Sequence, residues 1–167
     1  MSFTLNFNGA RGFQPYRAAN GMPHRTQTYP IASAYGTSIF RGAPVDLHTD
    51  GTLIVPADVD ANILGIFDGV EYVDTQGNVI FSPYWPASTT VKTGTVPKAR
   101  VYEAQGQLFL ATADEAIAQA DVGEYFALTA LSGGSTVTGQ SSIRVDGDSN
   151  GTSVVDKTVM LRFLPDL

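Results

Sequence analysis

Turn-forming residues interrupt this chain so often that long helices are difficult to build from it. Its 167 residues include 17 Gly and 9 Pro, and the short stretches between them are rich in Val, Thr, Tyr and Phe. Such stretches are typical of strands that are joined by tight turns. The chain is 43% hydrophobic and only 16% charged, so we expect one folded domain that is mainly β.

From residue 37 onward, several segments match a strand-turn-strand pattern. SIFRGAPVDL predicts a strand, HTDG a turn and TLIVPA the returning strand, which makes a hairpin centred on Asp50-Gly51. KARVYEA and QLFLAT, joined at Gln105-Gly106, predict a second hairpin. NILGIFDGVEYVD predicts a longer strand, in which Gly65 and Gly69 indicate close approach of a neighbouring backbone or a bulge. Strict alternation would place its side chains on two faces: Ile63, Gly65, Phe67 and Gly69 on one, and Leu64, Ile66, Asp68 and Val70 on the other.

One segment, ADEAIAQAD, predicts a helix. Thr112 and Glu115 match a capping box before this Ala-rich stretch, and Val122-Gly123 would end it. A helix of two to three turns is not stable alone, so we expect it to pack on the sheet. The residue patterns therefore predict a single, mostly antiparallel β-barrel or β-sandwich with one short helix.

The N-terminal segment differs from the rest of the chain in its charge and in its pattern of apolar residues. Residues 1–44 contain four Arg and no Asp or Glu, whereas all 16 acidic residues follow, together with six basic ones. Gly, Pro and Asn break every apolar run there, yet Phe and Tyr recur. We therefore predict an extended N-terminal arm over residues 1–36 and a β-rich domain over residues 37–167.

An arm of this kind buries its own rings poorly, and exposed rings are costly. The sharper interpretation is that the arm docks on another protein subunit through aromatic anchors, while arginines pair with carboxylates. The binding residues would be Phe3, Phe7, Arg11, Phe13, Tyr16 and Arg17. The alternative is that the basic arm folds back onto an acidic face of its own body.

Charge and composition argue against several partners. The formal net charge of −6 would repel phosphate, so nucleic acid is not an expected partner. No signal pattern opens the chain, and no apolar stretch approaches the roughly 18 residues that span a bilayer, so we expect a protein made in the cytoplasm with no membrane partner. The absence of cysteine excludes disulfides and thiolate metal sites.

Few residues suggest chemistry. His24 and His48 are the only histidines, and each lies in a predicted loop without a second ligand at metal-like spacing, so we expect neither a metal nor a cofactor. Two carboxylate pairs invite comparison with a glycosidase: Asp58 with Asp60, and Asp114 with Glu115. Loop placement and the first turn of the predicted helix account for both pairs, so we do not expect an enzyme.

One loop resembles the beginning of a calcium loop. Oxygen-bearing residues alternate and a glycine follows, at Asp146, Asp148, Asn150 and Gly151. The twelfth position, where calcium loops carry Glu, is Lys157 here, so we interpret the segment as a polar turn. Separately, Tyr84-Trp85 lies between two prolines, which predicts a corner, an edge or a stacking platform for sugars.

Four segments together resemble a known family: GARGFQPYR, IASAYGTSIFRGAPVDLHTDGTL, GIFDGVEYVDTQGNVIFSPYWPAST and GGSTVTGQS. In this order they are similar to the small decoration, or cement, proteins of tailed bacteriophage heads. GAPVDLHTDGTL is also similar to the body of head-stabilising proteins related to the lambda decoration protein, which implies a β-barrel or β-tulip-like fold. The shared motifs are turns and strands and include no catalytic signature.

The resemblance implies a structural virion protein without chemistry or cofactor. It would bind the outer surface of an expanded capsid, bridge major capsid protein subunits and associate with itself, as a trimer more readily than as a dimer. Residues 3–17 fit the arm that orders on the capsid in such proteins. Two rival functions remain: a tail or fibre adhesin that binds glycans through Tyr84 and Trp85, and a hydrolase built from Asp58, Asp60 or His48.

Overall fold

The computed structural model describes residues 9–18, 21, 23–57, 63–149 and 159–160, and the fold is mainly β, as the sequence predicts. Each strand that the structure describes pairs with its neighbours in the antiparallel sense. In chain order the strands are β1 (Gln14–Ala18), β2 (Thr26–Pro30), β3 (Ile39–Phe40), β4 (Pro44–Leu47), β5 (Leu53–Ile54), β6 (Gly65–Val73), β7 (Val79–Ser82), β8 (Tyr84–Trp85), β9 (Lys98–Glu103), β10 (Gln107–Leu110), β11 (Tyr125–Phe126) and β12 (Val159–Met160).

Six strands form the main sheet in the order β2-β9-β6-β4-β5, with β7 also paired to β6. The first residues of β6 pair with β4 and its last four pair with β7, so both neighbours lie on one side of β6. Three two-stranded sheets, β1-β10, β3-β8 and β11-β12, complete the fold. The described strands do not close on themselves, so the barrel alternative of the predicted barrel or sandwich is wrong, whereas the mainly antiparallel β class is confirmed.

The main sheet has an apolar cluster on each side. We call the face that carries the larger cluster the inner face; its buried residues are Ile31, Ile39, Val45, Leu53, Phe67, Val70, Trp85, Val91, Ala99 and Val101. The second cluster contacts the opposite, outer face at Ile66 and comprises Phe13, Ala43, Ile66, Phe126, Leu128, Ile143 and Val145. Neighbouring residues of a strand point to opposite faces, which is why Ile66 and Phe67 belong to different clusters.

A β-bulge in β6 decides which side chains reach the inner face. Phe67 is opposite Val101 and Val70 is opposite Ala99, so Asp68 and Gly69 together face the single residue Arg100. Phe67 and Val70 consequently share the inner cluster although they are three residues apart. The predicted strict alternation, with Phe67 and Val70 on opposite faces, is therefore wrong beyond Phe67.

The two glycines of β6 have the roles that the sequence indicates. A Cβ on Gly65 would collide with the carbonyl oxygen of Tyr102 in β9, so the two backbones approach too closely for a side chain. Gly69 lies in the bulge with φ of +155°, and a Cβ there would lie 3.0 Å from the carbonyl oxygen of Ser82.

Of the two predicted hairpins, one is confirmed. β4 and β5 pair around the turn at residues 48–52, and the Asp50 carboxylate accepts the Thr52 backbone N–H at 2.9 Å. The second prediction is wrong in its pairing. The chain turns at Gln105-Gly106, but β9 pairs with β2 and β6 while β10 pairs with β1, so the two strands belong to different sheets.

The predicted helix over residues 113–121 is also wrong, because this backbone hydrogen-bonds elsewhere. The carbonyl of Thr112 accepts the N–H of Val145 at 3.0 Å, and the N–H of Asp114 donates to the carbonyl of Val145 at 3.0 Å. Helical structure is limited to one 3₁₀ turn at Gln119–Asp121 in this segment. A second 3₁₀ turn, Gly147–Ser149, follows later in the chain.

Much of the predicted arm belongs to the body. β1 pairs with β10, and β2 forms an edge of the main sheet beside β9. The Tyr29 hydroxyl in β2 donates to the Glu103 carboxylate of β9 at 2.6 Å, which raises the pKa of Tyr29 to about 12. The described residues between 9 and 36 therefore do not form a separate extended arm, and residues 1–8 lie outside the described structure.

Trp85 provides a direct test of the inner core. Its side chain is fully buried and packs edge-on against Tyr72, with ring centroids 5.4 Å apart. We expect Trp85→Ala to lower the free energy of unfolding by about 3–5 kcal/mol, measured by urea denaturation followed by circular dichroism. The control Val137→Ala, at a position 94% exposed, should change it by less than about 0.5 kcal/mol. Equal effects of the two substitutions would contradict this core.

Candidate docking surface

The N-terminal segment covers only half of the outer sheet face. Phe13 is 6% exposed and packs in the cluster with Ile66, and its backbone N–H donates to the carbonyl of Gly42 at 2.8 Å. Gly12 lies so close to Gly42 and Ser141 that any Cβ there would collide with both. This tight contact fixes the segment over the first half of β6.

The predicted binding residues of this segment are separated by the fold. Phe13 is a core residue of its own chain, which corrects its assignment as an anchor for a partner. Tyr16 is half-buried, and the guanidinium of Arg17 lies 5.5 Å from the centre of its ring. Arg11 and Arg17 are exposed, and their pairing with carboxylates of a partner stays a prediction. Phe3 and Phe7 lie outside the described residues.

Beyond the bulge the outer face is open. Glu71 is opposite Phe81 of β7 on one side and Lys98 of β9 on the other, so these three residues form a row across the sheet. Phe81 is 72% exposed and Val79, two residues earlier in the same strand, is 54% exposed. We call the exposed residues of this half the open patch: Glu71, Val79, Phe81, Lys98 and Arg100.

β7 also presents a free strand edge. It pairs with β6 on one side, and no other described strand pairs with it. An edge strand with exposed apolar side chains is a site where another chain can add as a further strand. The open patch therefore combines exposed apolar side chains and both signs of charge with a strand edge that no other described strand covers.

An ion pair and a small cavity separate the covered and open halves. The Asp68 carboxylate lies 2.7 Å from the Arg41 guanidinium and 3.6 Å from that of Arg100. The adjoining cavity has a volume of about 130 Å³, which is room for several water molecules. Its lining residues are Phe13, Gln14, Pro15, Arg41, Gly42, Ile66, Phe67, Asp68 and Tyr102.

The two histidines make local contacts. The His48 ring lies 3.0 Å from the Asp50 carboxylate within the β4-β5 turn. The pKa of Asp50 is lowered to about 2, chiefly because Thr52 donates its backbone N–H and hydroxyl to the carboxylate. His24 lies 2.8 Å from the Gln107 side-chain oxygen. Within the part of the chain that the structure describes, no three His, Asp or Glu side chains form a group that could hold a metal ion.

Of the two carboxylate pairs identified in the sequence, the structure describes only Asp114 with Glu115, which lies beside the loop that resembles a calcium loop. Asp58, Asp60, Asn150 and Gly151 lie outside the described residues. The Asp114 carboxylate accepts the backbone N–H of Gly147 at 2.9 Å, which brings the Asp114 and Glu115 pair to the loop of Asp146 and Asp148. Repulsion from Asp148 is the largest cause of a raised pKa of Glu115, followed by desolvation.

The aromatic pair Tyr84-Trp85 is not a platform for sugars. Trp85 has no exposed surface, and Tyr84 stacks on Phe40 with ring centroids 5.4 Å apart. The pair forms β8 beside β3, which agrees with the corner alternative. The adhesin interpretation depended on Tyr84 and Trp85, and burial of Trp85 removes one of these two rings as a stacking surface.

No protein-family model, curated protein or solved structure significantly matches this chain. Among the described residues, no helix is long and apolar enough to cross a membrane.

The open patch was not identified by sequence patterns. VIF in β7 resembles a buried apolar run, since Val79, Ile80 and Phe81 are consecutive. The exposure of Phe81 follows from the strand register, which places it opposite the charged residue Glu71. A sequence alone does not show which strands pair.

The covering role of Phe13 can be tested by substitution. We expect Phe13→Ala to lower the free energy of unfolding by about 3 kcal/mol, because it leaves a cavity over Ile66. Arg11→Ala, at a nearby exposed position, should change it by less than about 0.5 kcal/mol. Urea denaturation monitored by Trp85 fluorescence measures both. An unchanged stability of Phe13→Ala would show that the ring packs elsewhere.

The acidic cluster predicts an unusual pH dependence. The folded state raises the pKa of Glu115 above its ordinary value of 4.5, so ionised Glu115 costs stability at neutral pH and the cost disappears as the group is protonated. We expect Glu115→Gln to raise the melting temperature at pH 7, with the gain vanishing towards about pH 4. Glu71→Gln should give no such gain, because Glu71 is opposite Lys98. A lower melting temperature of Glu115→Gln at pH 7 would contradict the repulsion.

Proposed function

We propose that this chain is a capsid decoration protein of a tailed bacteriophage. It binds the outer surface of the capsid, bridges major capsid protein subunits and stabilises the expanded head without performing chemistry. The single observation that supports this function best is the open patch, where Phe81 is 72% exposed on a sheet edge that pairs with no other described strand. The resemblance of the sequence motifs to decoration proteins supports the same proposal.

Docking on the open patch accounts for adhesion in physical terms. Burying an exposed Phe ring stabilises a complex by about 2 kcal/mol, and a capsid strand that adds to β7 would supply main-chain hydrogen bonds. Glu71 lies next to Phe81 in the row and Lys98 lies beyond Glu71, and these two charges would fix the orientation of the partner through charge pairs. Many copies on one particle make the total adhesion large even when each interface is modest.

The proposed location is the exterior of the virion, after synthesis in the host cytoplasm. The net charge of −6 disfavours packaged nucleic acid as the partner. We propose self-association on the capsid, as a trimer more readily than as a dimer. The capsid contacts of the N-terminal segment are limited to Phe3, Phe7, Arg11, Tyr16 and Arg17, since Phe13 is in the core.

Substitution of Phe81 tests the proposal. We expect Phe81→Ser to weaken binding to expanded capsids about 30-fold in a co-sedimentation assay, because one buried ring is lost. Leu110→Ser, at a position 41% exposed on β10, serves as the matched control and should bind normally. Trp85 fluorescence verifies that both variants are folded. Full capsid binding by Phe81→Ser, or an equal loss of binding in both variants, would contradict the proposed docking surface.

This assay also replaces a simpler truncation. Removal of residues 1–17 would delete Phe13 and most of β1 together with any capsid contact, so loss of binding would not distinguish misfolding from a lost interface. The single exposed side chain avoids this ambiguity. A glycan array separates the adhesin alternative, since the decoration function predicts no sugar-dependent signal.

A further inference from the structure

We propose that Arg41 and Arg100 together form a receptor for one carboxylate of an acidic protein partner. The site lies on the outer face of the main sheet, where the bulge of β6 meets β9. This inference rests on the proposed function and deepens it, because it names the chemistry that a capsid surface would present beside the open patch. Four observations support it.

The first observation is that two guanidinium groups share a single carboxylate. The Asp68 side chain is only 11% exposed and lies 2.7 Å from Arg41 and 3.6 Å from Arg100. The two arginine side chains are 47% and 59% exposed, so each has donors that face solvent. Among the described residues, no second carboxylate lies within ion-pair distance of either guanidinium. Because each guanidinium has several N–H donors, the pair can bind a second carboxylate.

The second observation is that both arginines are held in place before a partner binds. The Arg41 backbone N–H donates to the carbonyl of Gly139, and the Arg41 carbonyl accepts the N–H of Ser141, both at 2.9 Å. Arg100 lies within β9, which pairs with β2 and β6. One terminal nitrogen of Arg100 lies beside the bulge, since a Cβ on Gly69 would be 3.4 Å from it. Groups that are already ordered lose less entropy on binding, which favours recognition at this pair.

The third observation is a neutral donor beside the two arginines. Tyr102 lines the small cavity together with Arg41 and Asp68. Burial is the largest cause of a raised pKa of Tyr102, and the charge of Asp68 raises this pKa further. The charges of Arg41 and Arg100 act in the opposite direction, so the ring lies in the field of both guanidiniums. Because the pKa is raised, the hydroxyl stays protonated at neutral pH and can donate to an anion that enters beside Arg41.

The fourth observation is the local charge, which selects the kind of partner. Three cations, Arg41, Lys98 and Arg100, share this part of the outer face with two anions, Asp68 and Glu71, so one positive charge is left over. The residues of β2 that lie opposite β9 are all uncharged. This region is therefore positive although the whole chain carries a net charge of −6. A positive region of this kind favours an acidic partner surface.

The arginine pair is continuous with the open patch. Arg100 lies two residues from Lys98 in β9, and Lys98 is in the row that contains Glu71 and Phe81. With adjacent strands about 4.8 Å apart, Phe81 lies on the order of 12 Å from Arg100. A partner that buries Phe81 can therefore place one acidic side chain on the pair. A nucleic acid fits less well, because its other phosphates would meet the acidic remainder of the chain.

Titration with two matched peptides tests the site in the unmodified full-length protein. The probe is acetyl-Gly-Glu-Gly-amide, and the control, acetyl-Gly-Gln-Gly-amide, has the same shape without the charge. We expect the Glu peptide to shift the NMR signals of the Arg41 and Arg100 Nε–H groups saturably, with a dissociation constant on the order of 10 mM at low salt. The Gln peptide should leave both signals in place. No shift with the Glu peptide, or equal shifts with the two peptides, would overturn the inference.

Substitutions separate this site from general charge attraction. Arg100→Gln should reduce the initial slope of the Arg41 shift about tenfold, because the carboxylate loses one charged donor. Arg100→Lys keeps the charge without the planar fork and should reduce the slope about threefold. Arg144→Gln removes the same charge from an exposed position outside the pair and should leave the slope unchanged. Trp85 fluorescence verifies that the variants are folded. Equal reductions by Arg100→Gln and Arg144→Gln would contradict the receptor.

A single-stranded oligonucleotide serves as the competing probe. If it shifts the two Nε–H signals while the Glu peptide does not, the site binds phosphate and the inference of an acidic protein partner is wrong. No capsid is used in these titrations, so their failure leaves the capsid-binding result of Phe81→Ser intact. Conversely, if Phe81→Ser binds capsids fully while the Glu peptide still binds the pair, the carboxylate receptor stands and its partner is another acidic protein.

Discussion

The bulge at Asp68 and Gly69 is the constraint on which the rest of the sheet depends. A regular strand would send Val70 and Tyr72 to the outer face and Glu71 into the core, because side chains alternate. One extra residue opposite Arg100 returns Val70 to the inner cluster beside Phe67 and leaves Glu71 exposed. Gly69 allows the backbone to pass close to Ser82, and Asp68 is held between Arg41 and Arg100.

The same bulge divides the outer face into a half that the N-terminal segment covers and a half that is exposed. Before it, Ile66 is covered by Phe13, so the N-terminal segment completes the fold. After it, Glu71 lies between Phe81 and Lys98, and this half remains available to a partner. Stability and proposed adhesion therefore occupy adjacent halves of one surface, which is why deletions of the leading stretch cannot test adhesion alone.

Structural features that a few neighbouring residues determine were predicted from the sequence, whereas features that depend on contacts between distant residues were not. The predictions of the Asp50-Gly51 turn and of the roles of the two glycines of β6 were correct, because a few adjacent residues determine these features. The helix failed because Val145, some thirty residues away in sequence, takes the hydrogen bonds of Thr112 and Asp114. The prediction of a separate arm was wrong for a similar reason. Phe13 packs in the same cluster as Ile66, about fifty residues later in the chain, and no periodic pattern of residues predicts that contact. The open patch depends on strand register, which composition does not encode.

The proposed docking on the open patch is tested most directly by comparing hydrogen exchange of the free protein with that of the protein bound to expanded capsids. Binding should slow exchange in β7 and in the part of β9 that carries Lys98 and Arg100, while the β4-β5 hairpin, at the other end of β6, should exchange at the same rate in both states. Protection that appears in β4 and β5 and spares β7 would contradict the proposed docking, because the partner would then bind the opposite end of the sheet.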